Sequence, residues 1–221
     1  MKQTRGHQET IRIHAIAYGG NGSGKLASGM TVIVPITAVD DEVQIELTEV
    51  HKRYARARVL ELVQGGPERV EPSCPYYGQC GGCQYQHISD KSELQHKARQ
   101  LSDALQRVGR LADLPSVEIP CPDAATFHYR NRVTLHALVA SGHRKWGFFA
   151  LDNKTVIQVT TCPVATLAIN EALQHKLENQ DHTRLLLRSD AAGNLHAIYG
   201  AQQGTETAAE RLLGRELQTP P

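Results

Sequence analysis

Three cysteines fall within ten residues, in Cys74-Pro75-Tyr76-Tyr77-Gly78-Gln79-Cys80-Gly81-Gly82-Cys83, and a Cys162-Pro163 pair stands far downstream. Thiolates are soft metal ligands, and four of them brought to one point can hold a tetrahedral Zn²⁺ or an iron-sulfur cluster. Either would order a loop that has little apolar content to bury. Gly81 and Gly82 allow the backbone to fold tightly and turn N-H groups toward sulfur, which stabilises the charge of a cluster. Five residues separate Cys74 from Cys80, whereas zinc sites favour gaps of about two to four. The spacing leans modestly toward iron-sulfur and leaves both metals open. Cys121 and Cys162, each followed by proline, are candidates for the fourth ligand. Cys162 is favoured because it sits between an expected strand and an expected helix, whereas Cys121 lies in a proline-rich connection. His87 is a third candidate.

Two further segments invite a chemical reading. Gly19-Gly20-Asn21-Gly22-Ser23-Gly24-Lys25 carries the glycines and lysine of a phosphate-binding loop. Leu26 stands where such a loop needs a hydroxyl for Mg²⁺, and a β run follows instead of a helix, so a flexible loop joining two barrel strands is expected. The densest positive run is His51-Lys52-Arg53-Tyr54-Ala55-Arg56-Ala57-Arg58. A solvated strand end explains such a run, but a basic, aromatic-bearing barrel edge also suits an RNA backbone and a stacked base. Lys52, Arg53, Arg56 and Arg58 are the candidate contacts there, and Arg130 and Arg132, in Tyr129-Arg130-Asn131-Arg132, form a second cluster.

These residues need elements to position them. Short β-branched runs between turn signals mark strands at 11–17, 31–36, 43–50 and 55–62, and the alternation of Ile11, Ile13 and Ala15 with Arg12 and His14 is the period of a half-buried strand. Such strands close into a small, OB-like barrel over residues 1–64. Residues 65–88 read as a linker and the cysteine loop, and 89–123 as a helix followed by a proline-rich connection. Asp90 is the expected cap with Glu93 three residues on, Leu94, Ala98, Leu101, Leu105 and Val108 form an apolar stripe, and Gly109 is the stop. Residues 124–221 read as an α+β domain. Its expected strands lie at 132–139, 145–151, 156–160, 183–188 and 195–199, with a helix over 163–177. The fold class is thus mainly β, with an α+β second part.

The chain has 221 residues, enough for two units with cores of their own. Its 24 lysines and arginines balance 23 acids, so a nucleic-acid surface has to be a local patch. No stretch approaches the roughly 20 apolar residues of a membrane span and the start is polar, so a cytoplasmic protein is expected. Five cysteines, three of them clustered, fit metal binding better than a disulfide framework.

Taken together, these motifs resemble the amino-terminal half of the S-adenosylmethionine-dependent uracil-C5 RNA methyltransferases, in particular the 23S ribosomal RNA type. The resemblance runs to about Tyr199. It rests on Gly19 to Gly22 in a barrel glycine loop, Cys74 with Cys80-Gly81-Gly82-Cys83 and Tyr85-Gln86-His87, the Tyr129 to Arg132 segment, and Cys162-Pro163. It implies an N-terminal TRAM barrel, a [4Fe-4S] cluster on Cys74, Cys80, Cys83 and Cys162, ribosomal RNA as partner, and S-adenosylmethionine as the methyl donor of a separate Rossmann-like catalytic domain. The motifs of that domain, a glycine-rich cofactor loop, D-P-P-R-x-G and S-C-N-P, do not occur in these 221 residues. The expectation is therefore an RNA-binding and cluster-binding portion without catalysis of its own. A free-standing RNA-binding module is the alternative.

Overall fold

The computed structural model describes residues 3–114, 116–118, 126–140, 143–175 and 182–200. These form two compact units, one within Met1–Pro72 and Gln84–Asp123, the other within Ser73–Cys83 and Ala124–Pro221.

In the first unit, alternating apolar residues send every second side chain inward, and five strands bury them by closing on themselves. The strands are β1 (Gln8–Ile16), β2 (Gly22–Lys25), β3 (Thr31–Val34), β4 (Glu42–Val50) and β5 (Tyr54–Gln64), in the closed order β1-β2-β3-β5-β4. All neighbours are antiparallel except β3 and β5, whose parallel pairing joins Thr31 to Tyr54 and Ile33 to Arg56. Ile13, Val32, Val34, Val43, Ile45, Leu47 and Ala55 fill the interior without exposure. The expected barrel is present, but the segment read as a loop between two strands is itself strand β2. Glycine makes this possible. A Cβ on Gly22 would lie 2.0 Å from Thr37 Oγ1, and one on Gly24 would lie 2.9 Å from the Arg12 carbonyl, so β2 packs where no side chain fits. The same glycines that imitate a phosphate loop are a packing requirement.

A buried carboxylate ties the chain leaving β5 back to the barrel. Asp41, with no exposure, accepts from the amides of Ala38 (2.7 Å) and Gly66 (2.8 Å) and from Arg69 Nε and Nη2. Arg69 Nη2 also donates to the Ile36 carbonyl at 2.9 Å. The segment then pairs with the residues before the first helix, Val70 N-H donating to the His87 carbonyl and Ser89 N-H to that of Glu68.

The first helix, α1 (Asp90–Arg107), is capped by Ser89, whose Oγ accepts from Ser92 N-H at 3.3 Å. The expected cap was one residue later; Asp90 instead occupies the first turn, where its charge suits the helix dipole. The apolar stripe does not become a buried seam. Leu101 and Val108 are 49% and 84% exposed, and Ser92 is the one buried helix residue. Polar contacts hold α1 instead: Gln100 Nε2 donates to the carbonyls of Ile16 and Ala17, Tyr85 Oη donates to Gln100 Oε1, and His96 meets Glu68 at 2.6 Å.

The second unit is a five-stranded antiparallel sheet in the order β10-β9-β6-β7-β8. Its strands are β6 (Arg132–Ala140), β7 (His143–Phe149), β8 (Val156–Gln158), β9 (Arg184–Ser189) and β10 (Leu195–Gly200). Helix α2 (Leu167–Gln174) starts four residues later than expected, because Cys162 to Thr166 form a turn of their own. Val133, Leu135, Leu185, Leu187 and Ala197 share a core with Ile169, Ala172 and Leu173 of α2.

Candidate metal centre and nucleic-acid contacts

All four candidate thiols belong to the second unit, and none is in a disulfide. The loop from Cys74 to Cys83 turns back on itself through Tyr77 N-H to the Cys74 carbonyl and Cys80 N-H to that of Tyr76. It is then stitched to the sheet: Gly81 N-H donates to the Phe149 carbonyl at 2.9 Å, and Leu151 N-H to that of Gln79 at 3.0 Å. A Cβ on Gly81 would stand 2.9 Å from the Ala150 carbonyl, so the close approach needs glycine there. Tyr76 crosses to the segment between β8 and Cys162, its hydroxyl 3.0 Å from Thr160 Oγ1 and accepting from Thr160 N-H.

The Cys162 turn is held by a residue that sequence patterns did not reveal. Asn170, on the first turn of α2 and 8% exposed, accepts from Cys162 N-H at 2.7 Å and donates from Nδ2 to the carbonyls of Cys162, Ala165 and Thr166. A lone asparagine in a helical stretch gives no signal of that role; the i and i+8 spacing shows it only once the turn is known.

The sulfurs lie in a partly dry, amide-lined setting. Burial pushes the Cys74, Cys80 and Cys162 thiols up, and backbone amides oppose it: Tyr76 and Tyr77 toward Cys74, Gly82 toward Cys80, and Ala165 and Val164 toward Cys162. Coulombic coupling to Cys83 also raises each of the other three, which places the four thiols in one electrostatic neighbourhood. Among the described residues, no three His, Cys, Asp or Glu side chains converge into a site for a single metal ion. Five amides aimed at three sulfurs match a negatively charged thiolate cluster. Cys121 lies outside the described residues. His87 belongs to the first unit, where it is fully buried and bonded to the Thr37 backbone, and burial lowers its pKa.

Arg130, singled out as an RNA contact, faces the thiols. Its backbone is locked to the Cys162 turn, N-H to the Val164 carbonyl and carbonyl to Thr166 N-H. Its guanidinium reaches the Gly82 carbonyl at 3.5 Å and favours the charged forms of Cys80 and Cys162. Arg132 is exposed on β6. Lys52 and Arg53 occupy the turn between β4 and β5, whereas Arg56 and Arg58 point outward from β5 and meet acids of β4: Arg56 with Glu49 at 3.8 Å, Arg58 with Glu46 at 3.1 Å.

Residues 2–60 match the TRAM domain family. An uncharacterised RNA methyltransferase of Protochlamydia amoebophila is 36% identical over 152 residues, 69% of this chain and 34% of its own length. The chain thus carries a TRAM domain and is similar to part of proteins named RNA methyltransferases; it spans about a third of the length of such relatives. More particularly, the 23S rRNA (uracil(1939)-C(5))-methyltransferase of Shewanella amazonensis is 30% identical over 193 residues, 84% of this chain and 43% of its own. The crystal structure of Pyrococcus abyssi tRNA (uracil-54, C5)-methyltransferase with S-adenosyl-L-homocysteine shares the fold, with a TM-score of 0.58 at 22% identity over 88% of this chain and 46% of that one. No helix among the described residues is long and apolar enough to cross a membrane.

Proposed function

We propose that these residues are the RNA-binding and [4Fe-4S]-binding portion of a cytoplasmic, S-adenosylmethionine-dependent RNA (uracil-C5) methyltransferase acting on 23S ribosomal RNA. The observation that carries the reading is the set of four neighbouring thiols, three of them with five backbone amides directed at them, in a chain that also bears a TRAM domain. Cys74, Cys80, Cys83 and Cys162 would hold the cluster. Bound there, it would cross-link the loop to the Cys162 turn and need not carry electrons for the reaction. Gly82, Val164 and Ala165 offset its charge through their amides, Arg130 adds a cation, and Asn170 and Tyr76 keep both halves of the ligand set in register. The barrel and central sheet would hold RNA. Methyl transfer belongs to a Rossmann-like domain whose motifs these residues lack.

Anaerobically purified protein should be brown, with about four irons per chain. Zinc without iron would remove the cluster from the proposal. Labelled S-adenosylmethionine with unmodified ribosomal RNA should give no methyl transfer by residues 1–221; transfer would show that the chemistry resides here after all.

A further inference from the structure

The face of the central sheet turned away from its core carries positive charge that no carboxylate among the described residues answers. In an antiparallel pair, directly opposed residues share a face and the period along each strand is two. Arg132 on β6 is opposite Arg188 on β9, and His136 is opposite Arg184. Leu138 is opposite Lys145 of β7. Arg132, Arg184, Arg188 and Lys145 therefore project from one face, while Val133, Leu135, Leu185 and Leu187 project from the other into the core. All four cations are exposed.

Like charges directly across a pair of strands weaken a sheet, yet among the described residues none of these four has a carboxylate at ion-pair distance. Several cations of the first unit differ: Arg12 meets Asp40, Arg56 meets Glu49 and Arg58 meets Glu46 on the barrel, and Lys97 meets Glu93 on α1. The uncompensated charge is felt within the sheet: burial and the nearby Arg184 both lower the pKa of His136. Its ring stacks on Phe149 with centroids 3.7 Å apart, adding a flat aromatic ledge to the same face.

We propose that this face is an RNA-backbone surface on which Arg132 and Arg188 share one phosphate and Arg184 and Lys145 take phosphates further along. Arg184 and Arg188 are four residues apart on one strand, roughly 13 Å at about 3.3 Å per residue. That is too far for one anion and suits a polymer of them. The inference rests on the reading that the chain binds RNA, and it names side chains for that grip beyond those visible as basic runs.

The test uses the full chain and an unmodified 23S ribosomal RNA transcript, with affinity measured between about 50 and 200 mM salt. Arg184→Gln with Arg188→Gln should weaken binding at least tenfold and flatten the log-log salt slope by about 0.7 to 0.9 for each lost phosphate contact. Arg188→Lys, which keeps the charge, should retain most of the slope. Arg188→Gln alone should melt no lower than the parent, because it relieves a repulsion; a merely structural arginine would lower the melting point. A parallel Arg53→Glu, Arg56→Glu, Arg58→Glu variant reports on the barrel edge. If the parent binds and only the barrel variant loses affinity, the sheet face is refuted while RNA binding stands. If the parent does not bind the transcript, both readings fall.

Discussion

Replacing Asp41 by asparagine tests whether the barrel is held to the segment after β5 by one buried ion pair. The carboxylate is fully buried and Arg69 is 21% exposed. Asparagine keeps the shape but removes the charge, and its amide nitrogen cannot accept from Gly66, Ala38 or Arg69. Breaking a buried pair on one side costs about 3 to 5 kcal/mol. Because Arg69 retains some water, the lower end applies, about 3 kcal/mol. For a unit slightly above 100 residues this corresponds to a fall in melting temperature of roughly 12 °C. Acid should erase the difference. Burial alone would push the Asp41 carboxyl up, but Arg69 and the amides of Gly66 and Ala38 outweigh it and hold it below the usual carboxylate range. A depressed folded pKa contributes stability above the unfolded value, about 3.9, and loses it as pH falls through the folded one. Thermal melts of parent and Asp41→Asn should therefore differ fully above about pH 5 and converge only as the pH falls below the usual carboxylate range, through the depressed pKa of Asp41. A gap under about 1 kcal/mol at neutral pH, or one that persists unchanged in acid, would refute the reasoning.

The remaining expectations concern glycine packing and the thiols. Gly22→Ala should destabilise the barrel by more than about 2 kcal/mol in chemical denaturation, because its Cβ would meet Thr37 at 2.0 Å. Gly29→Ala, at φ +81° with nothing within 4 Å, should cost only the backbone strain of about 1 kcal/mol. Cys162→Ser should lower iron content as severely as Cys80→Ser, whereas Cys121→Ser should leave it at the parent level; metal analysis after anaerobic purification distinguishes them. Asn170→Ala should speed loss of iron to a chelator without removing a ligand, since the Cys162 turn loses four hydrogen bonds.

Much of this molecule is legible in order along the chain. Ile11, Ile13, Val43 and Ile45 alternate because a barrel strand has one dry face, and the period holds until an irregularity after Ile13 turns Ile16 inward in place of the expected Ala15. Cys74, Cys80 and Cys83 mark a candidate metal loop because soft donors are seldom crowded for another reason. What local pattern cannot express is what each residue meets from elsewhere. Gly22 and Gly24 look like a phosphate loop until Thr37 and Arg12 are found where their side chains would be. The basic runs do not tell that β4 places Glu49 and Glu46 beside Arg56 and Arg58, nor that the Arg130 guanidinium reaches the Gly82 carbonyl. Arg188 and Arg184 lie in an unremarkable apolar run, and pairing with β6 makes them half of a basic face. Residue type and period are properties of the chain itself, so the sequence determines strands, helices and the inventory of candidate ligands. Charge compensation, close approach and the convergence of Cys162 on a loop some eighty residues away depend on register between distant segments, and only the tertiary structure sets that.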